Sequence, residues 1–400
     1  MAFGLAPNCY VFGTYQIAHE TSSANSALLS AVFIEQVADR PLLTDSKFVT
    51  RAKASFLDRP WFCDDCCAAM AARAGLWAGL GVVASAMLLF AGNVRADFSE
   101  HPKAAAFINE MHDEHQFEKD WLVALLASTP RSDKALELIQ RPAEKRLQWV
   151  DYRPIFLTEE RIDAGVAFWQ EHKETLERAQ LRFGVPAEMI VAILGVETYY
   201  GRISGGFPAM SALATLAFEY PKRESFFRKE LAEFLLLIRE NQLDYRKLEG
   251  SYAGAFGLPQ FISSSYRQYA IDFDDDDERD LWNSVPDAIG SIANYFYRHG
   301  WKNGQAVAEA VSITEKGREL VTDGPKPVHT LAQLHEAGIY PKRKGNDTYT
   351  LLELLGADGS EHWIAHQNFY VVTRYNHSNM YAMAVYQLSQ EIRTRIRSSE

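Results

Sequence analysis

One stretch of this chain is apolar almost all round and ends on a carboxylic acid: Ala187-Glu188-Met189-Ile190-Val191-Ala192-Ile193-Leu194-Gly195-Val196-Glu197-Thr198-Tyr199-Tyr200-Gly201. A helix of that composition has no face to give to water, so the fold has to be built around it. Pro186 suits its first turn and Gly201 a stop just past its end. Glu197 then stands where a packed core meets a polar loop. Desolvation raises the pKa of a carboxylic acid, and the negative end of the helix dipole pushes the same way. An acid kept protonated near neutral pH can protonate a glycosidic oxygen. The same pattern also fits an exposed Glu at a helix end.

The chain has 400 residues, 47% hydrophobic and 23% charged, enough for two or three domains with a real core. Acidic and basic residues balance before position 97, so the net charge of −11 belongs to residues 97–400. An acidic body argues against nucleic acid as the main partner. The four cysteines are Cys9, Cys63, Cys66 and Cys67. One CxxC with no second pair and no nearby histidine cluster does not make a zinc site.

No charged residue occurs at 74–94, and Val94-Arg95-Ala96 follows with small residues at both specificity positions. This reads as a secretory signal peptide over 70–96, cleaved after Ala96. Such signals sit at an N-terminus, so the expected start is Met70, with residues 1–69 an upstream extension. The competing reading is an uncleaved membrane anchor, because about 20 apolar residues can span a bilayer. No cysteine follows the run, so lipidation of a mature N-terminal Cys is excluded.

Downstream, the spacing of Phe107, Met111 and His115, then Leu122 and Leu125, predicts helices. A longer helix is expected through Ile162, Val166, Trp169, Leu176 and Phe183. Asp151-Tyr152-Arg153-Pro154 reads as an extended connection, because a residue before proline avoids the helical region. Two helices are expected in 210–240 around Tyr220-Pro221-Lys222-Arg223, and one from Pro286 to His299. Residues 303–365 turn β-favouring. Tyr349–Leu352, a turn at Asp358-Gly359 and Trp363-Ile364 predict a hairpin. A last helix is expected from Ser378 to Arg395.

Three constellations join Glu197. In Gly250-Ser251-Tyr252-Ala253-Gly254-Ala255-Phe256-Gly257-Leu258-Pro259-Gln260-Phe261, small residues let a bulky ligand approach the backbone. Ser251 and Gln260 offer neutral hydrogen bonds beside aromatic faces, a mix suited to sugar; a flexible surface loop is the equal alternative. Asp272, Asp274 and Asp276 alternate as the oxygen ligands of an EF-hand do, with Glu278 offering its carbonyl. Asp277 replaces the sixth-position glycine, Asn283 the twelfth-position glutamate, and the next carboxylate is Asp287. Calcium or a merely solvated turn are both open. Arg374-Tyr375-Asn376-His377-Ser378 either lines a cleft at a strand-to-helix junction or supplies an N-cap.

Taken in order, Glu197–Arg202, Ala212–Leu216, Tyr220–Arg223, Gly250–Phe261, Asp287–Phe296 and Arg374–Asn376 resemble the membrane-bound lytic transglycosylase B family over residues 97–400. The resemblance implies a mainly α, α+β protein: a helical domain at 97–185, a lysozyme-like core at 186–302 with its EF-hand-like loop at 272–287, a small β domain at 303–365, and a segment at 366–400 returning to the core. It implies cleavage of the β-1,4 bond between N-acetylmuramic acid and N-acetylglucosamine, without water, to leave a 1,6-anhydromuramoyl end. It makes Glu197 the sole acid and base. It places Ser251, Gln260, Tyr152, Lys222, Arg223, Tyr295, Tyr375 and Asn376 along the glycan groove, and it implies calcium as a structural ion with no catalytic cofactor. Lys222 stands where an arginine is common, and a lysine lacks the bidentate fork. The implied partner is the peptidoglycan strand. The implied setting is the periplasm of a Gram-negative bacterium, as a monomer open to complexes of wall synthesis or hydrolysis. A hydrolytic muramidase and a non-catalytic, calcium-stabilised wall-binding protein are the alternatives. Ordinary glycosidases need a second carboxylate ~5–9.5 Å away, and none is evident in the sugar-binding motifs.

Overall fold

The computed structural model describes residues 98–140, 147–342 and 348–399. The apolar run at 74–94, the site after Ala96 and the start at Met70 lie outside the described residues.

Among the described residues six α-helices lead to the apolar stretch: α1 (Ala104–His115), α2 (Lys119–Ser128), α3 (Asp133–Ile139), α4 (Trp149–Phe156), α5 (Glu159–Glu171) and α6 (Lys173–Phe183). The stretch itself is α7 (Ala187–Thr198), and every one of its residues is buried. A two-stranded antiparallel ribbon, β1 (Phe207–Pro208) with β2 (Glu249–Gly250), closes off α8 (Ala209–Glu219) and α9 (Glu224–Glu240). Then come α10 (Ser263–Tyr269) and α11 (Val285–Arg298). The β region holds β3 (Ala308–Ala310), α12 (Glu315–Arg318), β4 (His329–Thr330), α13 (Leu331–Glu336), β5 (Thr348–Gly356) and β6 (Gly359–Ala365). Its antiparallel sheet runs β3-β6-β5-β4. Two helices finish the chain, α14 (Gln367–Tyr375) and α15 (Asn379–Ser399).

Helix α7 is the axis of the fold. It packs against α15, α5, α6 and α11. Burying each of its Ile, Leu and Val side chains contributes roughly 1.5–3 kcal/mol. The hairpin forms as the turn signal requires: Leu351 pairs with Ile364, and Gly356 with Gly359, which takes φ 111°. A second small cluster, with Leu334, Ile339, Tyr349 and Ile364, fills one side of the sheet.

Three expectations need correcting. The long helix is two, because the backbone leaves helical geometry at His172 (φ −111°, ψ 24°). The periodicity carries across the break because Phe168 and Leu176 enter the same core. Residues 151–154 are not extended but lie within α4, with Pro154 inside the helix. Trp149, Tyr152 and Phe156 recur on one face and are all buried, and that packing outweighs the backbone hydrogen bond Pro154 cannot make. The segment before α15 is no strand but α14, so Tyr375 and Asn376 sit between two helices.

Candidate active site

Glu197 is in the last turn of α7 and is 0% exposed. Among the described residues its carboxyl has one hydrogen-bond partner, the Tyr381 hydroxyl of α15, which donates to Oε1 at 2.6 Å. Oε2 is buried without a partner. Burial pushes the Glu197 carboxyl up to about 8, and the Tyr381 hydrogen bond, which favours the anion, opposes it. The acid is therefore largely protonated at neutral pH, and the exposed-Glu alternative is removed.

Tyr381 stacks on Tyr375 (centroids 6.5 Å apart, planes 13° apart), and the Tyr375 hydroxyl donates to the Pro259 carbonyl at 2.6 Å. Tyr375 in turn lines a cavity of about 160 Å³ together with Gln260, Phe261, Tyr295, Asn376 and Arg223. Two tyrosines thus link the cavity to the buried acid. No aspartate or glutamate lines it among the described residues.

The polar groups on this wall are short of partners. Gln260 Nε2 donates to Ser204 O and Gly257 O, but its Oε1 is buried and unmatched. Both amide atoms of Asn376 are buried and unmatched, at 2% exposure. A buried, unsatisfied amide is unfavourable by roughly 1–3 kcal/mol, so these groups call for a partner such as a water or a ligand in the cavity. Ser378, not Asn376, caps α15, accepting the Tyr381 amide at 3.2 Å. That leaves Asn376 to the cavity. The Tyr295 hydroxyl donates to Arg374 O at 2.5 Å, which ties α11 to α14. His377 also lines the cavity, and burial followed by the charges of Arg374 and Arg223 lowers its pKa, so it is neutral at pH 7.

Residues 250–261 are buried throughout, not a flexible surface loop. Gly257 takes φ 74°, and a Cβ there would meet Leu281 O at 2.5 Å. Ser251 is 0% exposed and does not line the cavity. Its Oγ accepts the amides of Ala253 and Ala255 at 3.3 and 3.1 Å and shapes the loop from within. Tyr152 packs in the α4 core, close enough to Tyr381 to interact electrostatically. Lys222 is exposed in a separate groove beside Glu110 and Arg228, apart from Arg223. Of the residues expected along the groove, the cavity thus gathers Gln260, Arg223, Tyr295, Tyr375 and Asn376. Sequence reasoning missed Tyr381 altogether and gave His377 no role of its own, and it did not place Phe226, which also lines the cavity.

In the acidic loop, carboxylate oxygens of Asp272, Asp274 and Asp276 lie within 4.8 Å of one another. Asp272 accepts the amides of Asp275, Asp276 and Asp277, which winds the loop around it. Asp277 takes φ 69° and so adopts the left-handed turn that the missing glycine would supply. The oxygen-only donor set fits a hard cation such as calcium. Glu278 meets this cluster through its amide, which donates to Asp276 Oδ1 at 2.9 Å. Asp287 is not part of it. Its two oxygens accept the Phe273 amide at 2.6 Å and the Asp280 amide at 2.8 Å, so it clamps the loop's ends instead.

Residues 99–390 match the family model described as the transglycosylase SLT domain. Over 307 residues the chain is 42% identical to membrane-bound lytic murein transglycosylase B of Escherichia coli K12, covering 74% of this chain and 84% of that protein. The catenated lytic transglycosylase SltB1 of Pseudomonas aeruginosa superposes with a TM-score of 0.72 at 47% identity, over 75% of this chain and 99% of that one. The Escherichia coli lytic transglycosylase Slt35 in complex with calcium superposes with a TM-score of 0.68 at 42% identity, over 75% and 95%. Fold and sequence agree: this chain belongs to the transglycosylase SLT domain family and has its lysozyme-like fold.

Proposed function

We propose that this chain is a lytic transglycosylase that cleaves peptidoglycan between N-acetylmuramic acid and N-acetylglucosamine, with Glu197 as its one acid and base. The observation that carries this reading is the buried, protonated carboxyl whose second oxygen lacks a partner. Oε2 carries the proton, since Oε1 accepts from Tyr381. It protonates the glycosidic oxygen as the bond to the anomeric carbon breaks, and the muramyl N-acetyl oxygen stabilises that carbon from the other side. The Glu197 carboxylate then takes the proton of the muramyl O6 hydroxyl, and O6 closes on the anomeric carbon. The proton returns to Glu197 and no water is consumed. Intramolecular attack replaces the second carboxylate of a hydrolase. Gln260 Oε1 and the Asn376 amide are the neutral partners for sugar hydroxyl and N-acetyl groups.

Calcium belongs to the fold and not to the chemistry: Asp272, Asp274 and Asp276 would hold it, as hard oxygen donors suit it. The Slt35 relative in complex with calcium supports this. The enzyme acts on the periplasmic side of a Gram-negative envelope, exported by the signal peptide at 70–96. The proposed division of labour keeps catalysis in 186–302, flanked by the helical part at 97–185, the β part at 303–365 and the returning segment at 366–400.

Glu197→Gln keeps the shape of the side chain but cannot deliver a proton. A general acid contributes ~10²–10⁴-fold, and here the same group is also the base. Turnover of purified sacculi should vanish while glycan binding and the circular dichroism spectrum stay. More than a tenth of wild-type turnover would remove Glu197 from the central role.

A further inference from the structure

The turn that ends α7 is held in an unusual way. Tyr199, Tyr200 and Gly201 follow one another with φ of 50°, 60° and 84°. Two bulky residues in the left-handed region persist only where their surroundings force them. Tyr200 folds back under its own helix. Its hydroxyl donates to the Arg161 carbonyl of α5 at 2.9 Å, and its ring packs on Phe168 with centroids 5.6 Å apart.

Two glycines open the slot that receives it. A Cβ at Gly195, one turn up α7, would lie 2.5 Å from the Tyr200 hydroxyl and 2.7 Å from Cζ. A Cβ at Gly165, inside α5, would also lie 2.5 Å from that hydroxyl. Glycine inside a helix is unfavourable. Here two helices each carry one facing the same oxygen, and the shared reason is Tyr200.

We propose that Tyr200 is a positioning residue for the acid: keyed between Gly165 and Gly195, it fixes where α7 ends and so where Glu197 points. It touches neither the cavity nor the carboxyl. The titratable groups facing Glu197 are Tyr381 of α15 and Tyr375 of α14. The proposal rests on Glu197 being the acid.

The test fills the slot from α5, remote in sequence from Glu197. Gly165→Ala is made together with Ile392→Val, because Ile392 Cδ1 would otherwise stand 2.6 Å from the new Cβ. Relative to Ile392→Val alone, kcat on a soluble glycan chain should fall fivefold or more with KM within twofold. The alkaline limb of the kcat profile should move to lower pH, because a loosened turn admits water to Glu197. Adding Tyr200→Phe removes the oxygen the new Cβ meets and should restore most of kcat. A mainly structural role would lower Tm and scale activity equally at every pH. A folded Gly165→Ala variant with kcat within twofold and an unmoved limb would overturn the proposal, as would failure of Tyr200→Phe to recover activity. Gly195→Ala provides the kcat and pH readings from α7, should the first variant not fold; its Cβ also meets Tyr200 Cζ at 2.7 Å, so Tyr200→Phe should not rescue it. A silent slot alongside an inactive Glu197→Gln would sink this proposal alone; an active Glu197→Gln would sink the function reading itself.

Discussion

A carboxyl raised to about 8 in the folded protein, against 4.5 as its ordinary value, makes Glu197 a stability element as well as an acid. The native state holds this proton more tightly than the unfolded chain. Its contribution is therefore complete below about 4.5 and is lost as pH rises through about 8. At ~1.4 kcal/mol per pH unit the swing is at most about 5 kcal/mol. Glu197→Gln should accordingly raise Tm at pH 8 and above while leaving it nearly unchanged at pH 4. Equal Tm differences at both pH values would show that the carboxyl is not desolvated. Tyr381 acts in the opposite direction, since its hydroxyl stabilises the anion. A hydrogen bond to a charged group is worth about 1.5–3 kcal/mol, or about one to two pH units. Tyr381→Phe should move the alkaline limb of kcat upward by that amount, and an unmoved or lowered limb would contradict the assignment. Glu197 could be read from its helix because burial was written in an unbroken apolar pattern. Tyr381 could not, because it lies 184 residues away and nothing on its own helix marks it.

Among the elements, the acidic loop separates two kinds of aspartate that sequence spacing treats alike. Asp274 faces the cluster, and Asp287 holds the Phe273 and Asp280 amides. Calcium that binds only the native state raises Tm by mass action. Asp274→Ala should abolish the calcium-dependent rise in Tm while changing Tm in chelator by little. Asp287→Ala should cost about 1–3 kcal/mol per orphaned amide even in chelator. Identical melting with calcium and with chelator in the parent protein would refute the ion site. The alternation 272, 274, 276 was legible because ligand spacing is local. The role of Asp287 was not, because its partners are backbone amides brought together by the fold. Helix α4 was misread for a related reason. Pro154 is a local signal against helix, but Trp149, Tyr152 and Phe156 anchor one face of α4 in the core.

At the scale of the molecule, the fold buries Glu197 among apolar helices and sets beside it a cavity walled by aromatic rings and unmatched amides. That wall was only partly legible. Gln260, Tyr375 and Asn376 come from loops and helix ends whose sequence could equally serve as caps, and Ser251 turned out to shape its own loop. Export is a separate test: expression from Met70 in a Gram-negative host should yield a periplasmic protein beginning at Asp97. From the full 400-residue reading frame, a mature form that retains residues 1–69 would refute the start at Met70; from either start, a form that keeps the run at 74–94 in the membrane would make it an anchor. The central claim is that the buried carboxyl drives ring closure in place of hydrolysis, because the site excludes water from a reactive intermediate. Digestion of purified sacculi in ¹⁸O-labelled water, followed by mass spectrometry of the muropeptides, tests it most directly. The account predicts 1,6-anhydromuramoyl ends that carry no label; predominantly labelled, reducing muramoyl ends would contradict it.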